Sequence, residues 1–241
     1  MNIPRVFIDN KLEINSEISL NDLASLHISR VLRKKEGSQI ELFNGLGYSC
    51  LAEVISLKNK LTIVKVKSEK VLQEREGITI NLALSMLKPS AFDFAIQKCS
   101  ELGVNEITPI LAERSSSKID AKKQGLKEKR WQIIAQGACE QCGLNWLPRI
   151  RKIVNIYDWA QSSMLGQKIA LIPNAEMKLS EVNLENEINI IIGPEGDFTD
   201  FERKVLDYNN FKCTSMGKRI LRSETAAISS LSALRTLSGE F

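Results

Sequence analysis

The sequence predicts two domains, a small β-barrel over residues 1–72 and a larger parallel α/β domain over residues 73–241. Three observations carry this prediction. Up to about Lys70 the chain falls into short strand-like runs separated by turn signals. Gln73-Glu74-Arg75-Glu76-Gly77 then forms a polar break. Beyond it, strand-length apolar runs alternate with helical segments, the pattern of a sheet whose strands run parallel.

In the first part, Val6–Ile8 reads as a strand, and Asn21 as the N-cap of a helix from Asp22 to about Leu32. Gln39–Asn44 is a second strand. Asn44-Gly45-Leu46-Gly47 turns the chain into Tyr48–Leu57, and Lys58-Asn59-Lys60 turns it again into Leu61–Lys70. Several short strands and one helix suggest a small barrel. In the second part, Ile78–Leu87 is a strand, and Ser90 is placed to cap a helix from Ala91 to Leu102 that Gly103 ends at C′. Glu106–Leu111 is the next strand, followed by a long helix from about Lys122 to Cys142 with Gly143 after it. Strands are expected near Ile150–Val154, Lys168–Ile172 and Ile188–Ile192. Thr199-Asp200-Phe201-Glu202 fits a capping box. Phe211–Ser215 is the last strand, before a helix from about Glu224 to Leu237.

Composition narrows the function. With 43% hydrophobic and 26% charged residues the chain has the make-up of a soluble globular protein. The longest apolar run is Ile169–Ile172, too short for a membrane-spanning helix, and Met1–Arg5 shows no secretory h-region. A cytoplasmic protein is the expectation. Five cysteines, an odd number, fit reduced thiols better than a disulfide framework. His27 is the single histidine, so a Ser-His-Asp triad would have to use it and a zinc site could draw on one imidazole at most. Gly45-Leu46-Gly47 continues with Tyr48-Ser49-Cys50, which fails the dinucleotide fingerprint, and no Gly-Lys-Ser/Thr loop exists. The net charge is +4, yet Glu113–Lys152 alone holds ten Lys/Arg against four Asp/Glu. Charge alone leaves two readings for that cluster, a phosphate-gripping surface or a solvated helix face.

Three motifs remain. Cys139-Glu140-Gln141-Cys142 has half-zinc-site spacing but lies inside the long helix with no second pair, which favours two small packing residues. Gly193-Pro194-Glu195-Gly196 follows the apolar strand Ile188–Ile192, at the carboxyl end where open α/β sheets bind ligands. An ordinary strand-to-helix turn would read the same. Met216 to Ala227 packs Lys218, Arg219, Arg222, Glu224 and two hydroxyls into one loop that enters a helix. A structural cap needs only one of these, so a site is the better reading.

These residues resemble those of the RsmE-type methyltransferases, which modify a uridine of 16S ribosomal RNA at N3. The resemblance runs through His27–Arg33, then Ile96–Val104 with Ile107-Thr108-Pro109 and Glu113-Arg114-Ser115. It continues through Ala138–Gly143 with Pro148, Gly193–Gly196 and Arg219–Ala226. It implies a SPOUT α/β domain with a C-terminal trefoil knot, preceded by a PUA-like β-barrel that binds RNA, and a homodimer. The implied cofactor is S-adenosyl-L-methionine, held by Leu171, Ile172, Pro173, Gly193, Pro194, Glu195, Gly196, Met216, Gly217, Ile220, Leu221, Arg222, Thr225 and Ala226. Arg222, Glu224 and Thr225 are the catalytic candidates, Arg222 for charge developing on the uracil carbonyls and the other two for ordering the loop. Arg5, Arg30, Arg33, Arg114, Lys122 and Lys123 are the candidates for contact with RNA of the small ribosomal subunit. No metal is implied.

Two positions depart from the family pattern. Asp197 stands where a second glycine usually follows Gly196, so a positive φ there would be strained, although Asp tolerates it better than most residues. Leu144 stands where an arginine usually follows Gly143. The alternatives are a non-catalytic RNA-binding or ribosome-assembly factor, or a SPOUT methyltransferase acting on another RNA.

Overall fold

A computed structural model describes residues 3–58, 61–116 and 124–241. The chain divides into two compact units. One gathers Met1–Arg75 with Gln136–Leu147, and the other Glu76–Ala135 with Pro148–Phe241. The first unit therefore runs three residues past the expected limit of 72 and takes in a segment far along the chain.

The first unit is a six-stranded sheet made of β1 (Arg5–Phe7), β2 (Glu17–Ser19), β3 (Gln39–Phe43), β4 (Tyr48–Lys58), β5 (Leu61–Val66) and β6 (Val71–Leu72). The order is β1-β3-β4-β5-β2, with β6 beside β4; all pairs are antiparallel except β1 with β3. Alternation sends Ile40 and Leu42 of β3, Ala52 and Val54 of β4, and Val64 and Val66 of β5 into one core with Val6, Ile18 and Ile28. Asn21 does cap α1 (Asp22–Leu26), accepting from Ala24 N at 2.9 Å. The predicted remainder of that helix is wound as a π-helix over His27–Val31.

The distant segment is bound to this unit by specific pairs. Glu140 accepts from Phe7 N at 3.0 Å, and burial pushes its carboxyl above the ordinary range. Trp146 Nε1 donates to Gln73 O at 2.8 Å, and Gln73 Oε1 accepts from Asn145 N at 2.6 Å. Gly47 sits at φ +90, where a Cβ would run into the Trp146 ring. The Arg5 guanidinium donates to Glu41 (2.8 Å), Leu144 O (3.2 Å) and Asn145 Oδ1 (2.6 Å), and its side chain is only 14% exposed. These bonds engage three of the five guanidinium N–H groups and hold the side chain within the unit, while Nε is buried without a hydrogen-bond partner. The carbonyl of Leu144 is one of its anchors.

The second unit is a seven-stranded sheet of β7 (Thr79–Ser85), β8 (Glu106–Leu111), β9 (Arg149–Ile150), β10 (Val154–Asn155), β11 (Gln167–Leu171), β12 (Glu187–Ile192) and β13 (Lys212–Thr214). Its order is β10-β8-β7-β12-β11-β13, with β9 also on β8, and every pairing is parallel. The helices are α2 (Pro89–Glu101), α3 (Gln124–Cys142, in this unit only as far as Ala135), α4 (Ile156–Gln161), α5 (Asp200–Tyr208) and α6 (Ser223–Leu237). One sheet face buries Ala83, Ile110, Ala170 and Ile191 against Ile156, Ala160 and Leu206 of α4 and α5. Central strand β12 buries Ile188, Ile190, Ile191 and Ile192 almost completely, each contributing about 1.5–3 kcal/mol relative to exposure.

Three local expectations need correction. Pro89, not Ala91, opens α2, with Lys88 at the N-cap, because the fixed φ of proline suits the first helical position. The strand expected at Ile150–Val154 is two two-residue strands; between them Ile153 N donates to Glu128 Oε1 instead of a neighbouring strand. The expected Lys122 start of the long helix lies outside the described residues. No described helix is long and apolar enough to cross a membrane.

Candidate active site

The register of the sheet builds the site. Leu171, the last residue of β11, pairs with Ile192 at the end of β12 on one side and with Thr214 at the end of β13 on the other. Three loops therefore leave the carboxyl edge side by side, and they enclose a cavity of about 720 Å³.

The first loop supplies Leu171, Ile172, Pro173 and Asn174 to the cavity wall. Ile172 N donates to Thr214 O at 2.8 Å, which fixes the loop's departure.

The second loop supplies Gly193 to Asp197. It closes on a turn in which Asp197 N donates to Pro194 O at 2.9 Å. Asp197 has φ +58, so the position does require left-handed backbone. The aspartate meets that requirement locally: its Oδ1 accepts from Phe198 N at 2.7 Å, and its Oδ2 pairs with Arg203 at 2.6 Å. The Thr199–Glu202 capping box is formed, and Glu202, fully buried, also accepts from Glu113 N at 2.8 Å. Arg114, a predicted RNA residue, is exposed yet gives one N–H to Gly196 O at 3.0 Å.

The third loop supplies Met216, Arg219, Ile220, Leu221, Arg222 and Ser223, with Ala226 behind them. Ser215 N donates to Met177 O at 2.9 Å and its carbonyl accepts from Leu179 N at 2.9 Å, which ties this loop to the first. Arg222 is the N-cap of α6 and provides no side-chain cap, unlike Asn21 of α1 and Thr199 of α5. The first N–H groups of α6 have no intrahelical partner, as in any helix, and receive no cap from the Arg222 side chain. They carry the positive end of the helix dipole at Ser223, a residue of the cavity wall. Among the described residues, no hydrogen bond or ion pair holds the exposed Arg222 guanidinium.

Most of the motif residues thus meet in one wall. Gly217, Thr225 and Glu224 do not reach it. Gly217 makes the turn of the third loop at φ +97. Glu224 and Thr225 lie in the first turn of α6, and Glu224 Oε2 is buried without a hydrogen-bond partner. Asn174, Ile192 and Arg203 belong to the wall although no motif singles them out. The signal available for Arg203 was its opposite charge, six residues beyond Asp197 and in the first turns of a capped helix.

Of the other RNA candidates, Arg30 and Arg33 are exposed, and Lys122 and Lys123 lie outside the described residues. Among the described residues no three His, Cys, Asp or Glu side chains gather as a metal site would need. The hydrogen bond with Cys142, together with burial, pushes the Cys139 thiol far above its ordinary range, the reverse of what redox chemistry requires.

Residues 74–235 match the RNA methyltransferase domain family, and residues 20–67 match the RNA methyltransferase PUA domain family. A ribosomal RNA small subunit methyltransferase E of Buchnera aphidicola is 34% identical over 99% of this chain and 95% of its own length. Its counterpart in Bacillus subtilis is 31% identical over 86% of this chain and 85% of its own. A Legionella pneumophila methyltransferase solved with bound cofactor SAM superposes with a TM-score of 0.94 at 33% identity, over 98% of both chains. A Neisseria gonorrhoeae ribosomal RNA small subunit methyltransferase E, bound to S-adenosyl methionine, gives 0.90 at 28% identity, also over 98% of both.

Proposed function

Because the chain belongs to the RNA methyltransferase family that includes the ribosomal RNA small subunit methyltransferases E, we propose that it methylates N3 of a uridine in 16S ribosomal RNA of the small ribosomal subunit. The methyl donor is S-adenosyl-L-methionine. The observation that carries this reading is the cavity at the carboxyl ends of β11, β12 and β13. Its volume of about 720 Å³ falls within the ~300–1,000 Å³ usual for small-molecule sites. Its chemistry fits the donor as well. Leu171, Ile172, Ile192 and Leu221 offer apolar surface for a purine. Glu195 suits its positive centres and Arg219 its carboxylate, while Asp197 and Arg203 neutralise each other.

When bound, the donor supplies a methyl group on an electrophilic sulfonium. The protein's residues then have two tasks. The three loops hold the methyl and the uracil nitrogen in line, and positioning of this kind contributes up to ~7–11 kcal/mol. Arg222 and the open N–H groups of α6 face the charge that develops on the uracil carbonyls as N3 loses its proton. N3 is a Watson–Crick atom, so the uridine must be unpaired or flipped. Arg30 and Arg33 of the PUA-like unit, with the free N–H groups of Arg114, contribute phosphate contacts. We include in the proposal a homodimer working in the cytoplasm, with the C-terminal stretch of the α/β domain threaded as a trefoil knot.

The test uses small ribosomal subunits that lack the native modification, incubated with the protein and methyl-labelled S-adenosylmethionine. Labelled 3-methyluridine in the digested RNA is the expected product. A different labelled nucleoside overturns the specificity, and binding of donor and subunit without label favours a non-catalytic binding factor.

A further inference from the structure

An aromatic pair beside the second loop has no task in the chemistry above. Phe201, in the first turn of α5, is 62% exposed, and its ring centre lies 5.6 Å from that of Tyr157 on α4 at an angle of 57°. Tyr157 donates its hydroxyl to Glu113 Oε1 at 2.5 Å, which leaves Oε2 of the exposed Glu113 without a hydrogen bond among the described residues. That bond, with burial and the charge of Glu113 adding to it, pushes the phenol up to about 12, so the hydrogen-bonded form persists at neutral pH.

The group is fixed to the cofactor loop at two points. Glu113 N donates to the buried Glu202, the neighbour of Phe201 in α5. Arg114, next in sequence, donates to Gly196 O in the cavity wall. A flat apolar ring, a carboxylate oxygen and a guanidinium are thus held within a few residues of the donor cavity, on the rim formed by the ends of β8, β10 and β12. An exposed aromatic supported by a second ring is the means by which proteins hold unpaired bases, with Arg on the backbone and a polar group on the base edge.

We infer that Phe201, Tyr157 and Glu113 form a subsite for one unpaired nucleobase flanking the methylated uridine, a base that carries an exocyclic amino group. The base stacks on Phe201 and donates its amino hydrogen to Glu113 Oε2, while Arg114 meets the adjoining phosphate. Flipping a uridine out of its stack exposes the faces of its neighbours, and the platform replaces the stacking they lose. The inference rests on the proposed action on RNA and adds to it the chemistry of a second recognition site.

The experiment combines kinetics and footprinting on small subunits lacking the modification. Phe201→Ala and Phe201→Leu raise KM for the subunit about tenfold, within the range of a lost base stack. They leave saturated kcat and donor affinity within about twofold. Phe201→Trp restores KM, since leucine keeps apolar volume but only an aromatic offers a π face. Dimethyl sulfate and kethoxal footprints show one amino-bearing base near the target protected by the wild type and reactive again with Phe201→Leu. The platform is overturned if Phe201→Leu matches the wild type, if no such base is protected, or if the variants change the oligomeric state, which would assign this face to a second copy of the chain. A wild type that methylates while the footprint ignores Phe201 fails the platform alone. A wild type that neither binds nor methylates subunits removes the proposed function and the platform with it.

Discussion

Substituting Asp197 separates backbone demand from side-chain bonding at the cofactor loop. The residue sits at φ +58, accepts from Phe198 N and pairs with Arg203. Asp197→Ala loses the local hydrogen bond, ~0.5–1.5 kcal/mol. It also loses a pair whose two side chains are 40% and 28% exposed, worth only ~0.2–1 kcal/mol because water screens it. In addition it must hold a left-handed conformation unaided, at ~1–2 kcal/mol. The total is about 2–4 kcal/mol, or a fall in Tm of roughly 4–16 °C for a chain of this size. Asp197→Gly loses the same two interactions but not the backbone term, against which glycine's ~0.5–1 kcal/mol entropic penalty must be set. It is therefore the milder change, by up to about 1.5 kcal/mol. Urea unfolding monitored by circular dichroism and by tryptophan fluorescence measures both variants. A glycine variant less stable than the alanine variant would refute the claim that the loop demands left-handed backbone here.

Three further outcomes follow from the structure. Arg222→Ala lowers kcat about 10²–10³-fold, as the loss of one donor to developing charge does, with donor affinity by calorimetry nearly unchanged; parallel losses in both would remove it from the chemistry. The Tyr157 phenol is raised from 10 to about 12, so its bond to Glu113 stabilises the fold fully below pH 10 and that contribution is lost as pH rises toward 12. Tyr157→Phe should abolish this dependence in unfolding measured across that window, and an unaltered profile would contradict the bond. Replacing Arg30 and Arg33 by alanine should reduce the salt slope of subunit binding by about 1.4–1.8, from ~0.7–0.9 per phosphate contact, whereas Arg5→Ala should lower stability and leave the slope in place.

The parts of the fold that were legible are those whose signals are local. Glu106–Leu111 was read to the residue, and Asn21 and the Thr199–Glu202 box cap the helices they were expected to cap. What was hidden is long-range. Nothing in Gln136–Leu147 says that it packs with the first unit, because its partners Phe7, Gly47 and Gln73 lie in other elements, from 73 residues away for Gln73 and Trp146 to 133 for Phe7 and Glu140. The same distance hid the fate of Arg5, whose charge resembles any surface cation until Glu41 and Asn145 surround it. At the site, the motifs marked the loops, but only the pairing of Leu171 with both Ile192 and Thr214 brings them together. Asn174 and Arg203 were missed because a wall position depends on that pairing and on the helix that follows, not on any residue pattern.

The open start of α6 bears on attempts to make this protein more robust. A designer scanning for weak helix ends would find Arg222 at an N-cap without a side-chain bond and would install Ser or Asp there, a change that commonly adds ~0.5–2 kcal/mol. Here the gain would be self-defeating: the new oxygen would occupy the N–H groups at the cavity wall and would remove the guanidinium beside them. The sturdier enzyme would be the idle one, and the frailty of that helix end is retained as the cost of an unfilled binding edge.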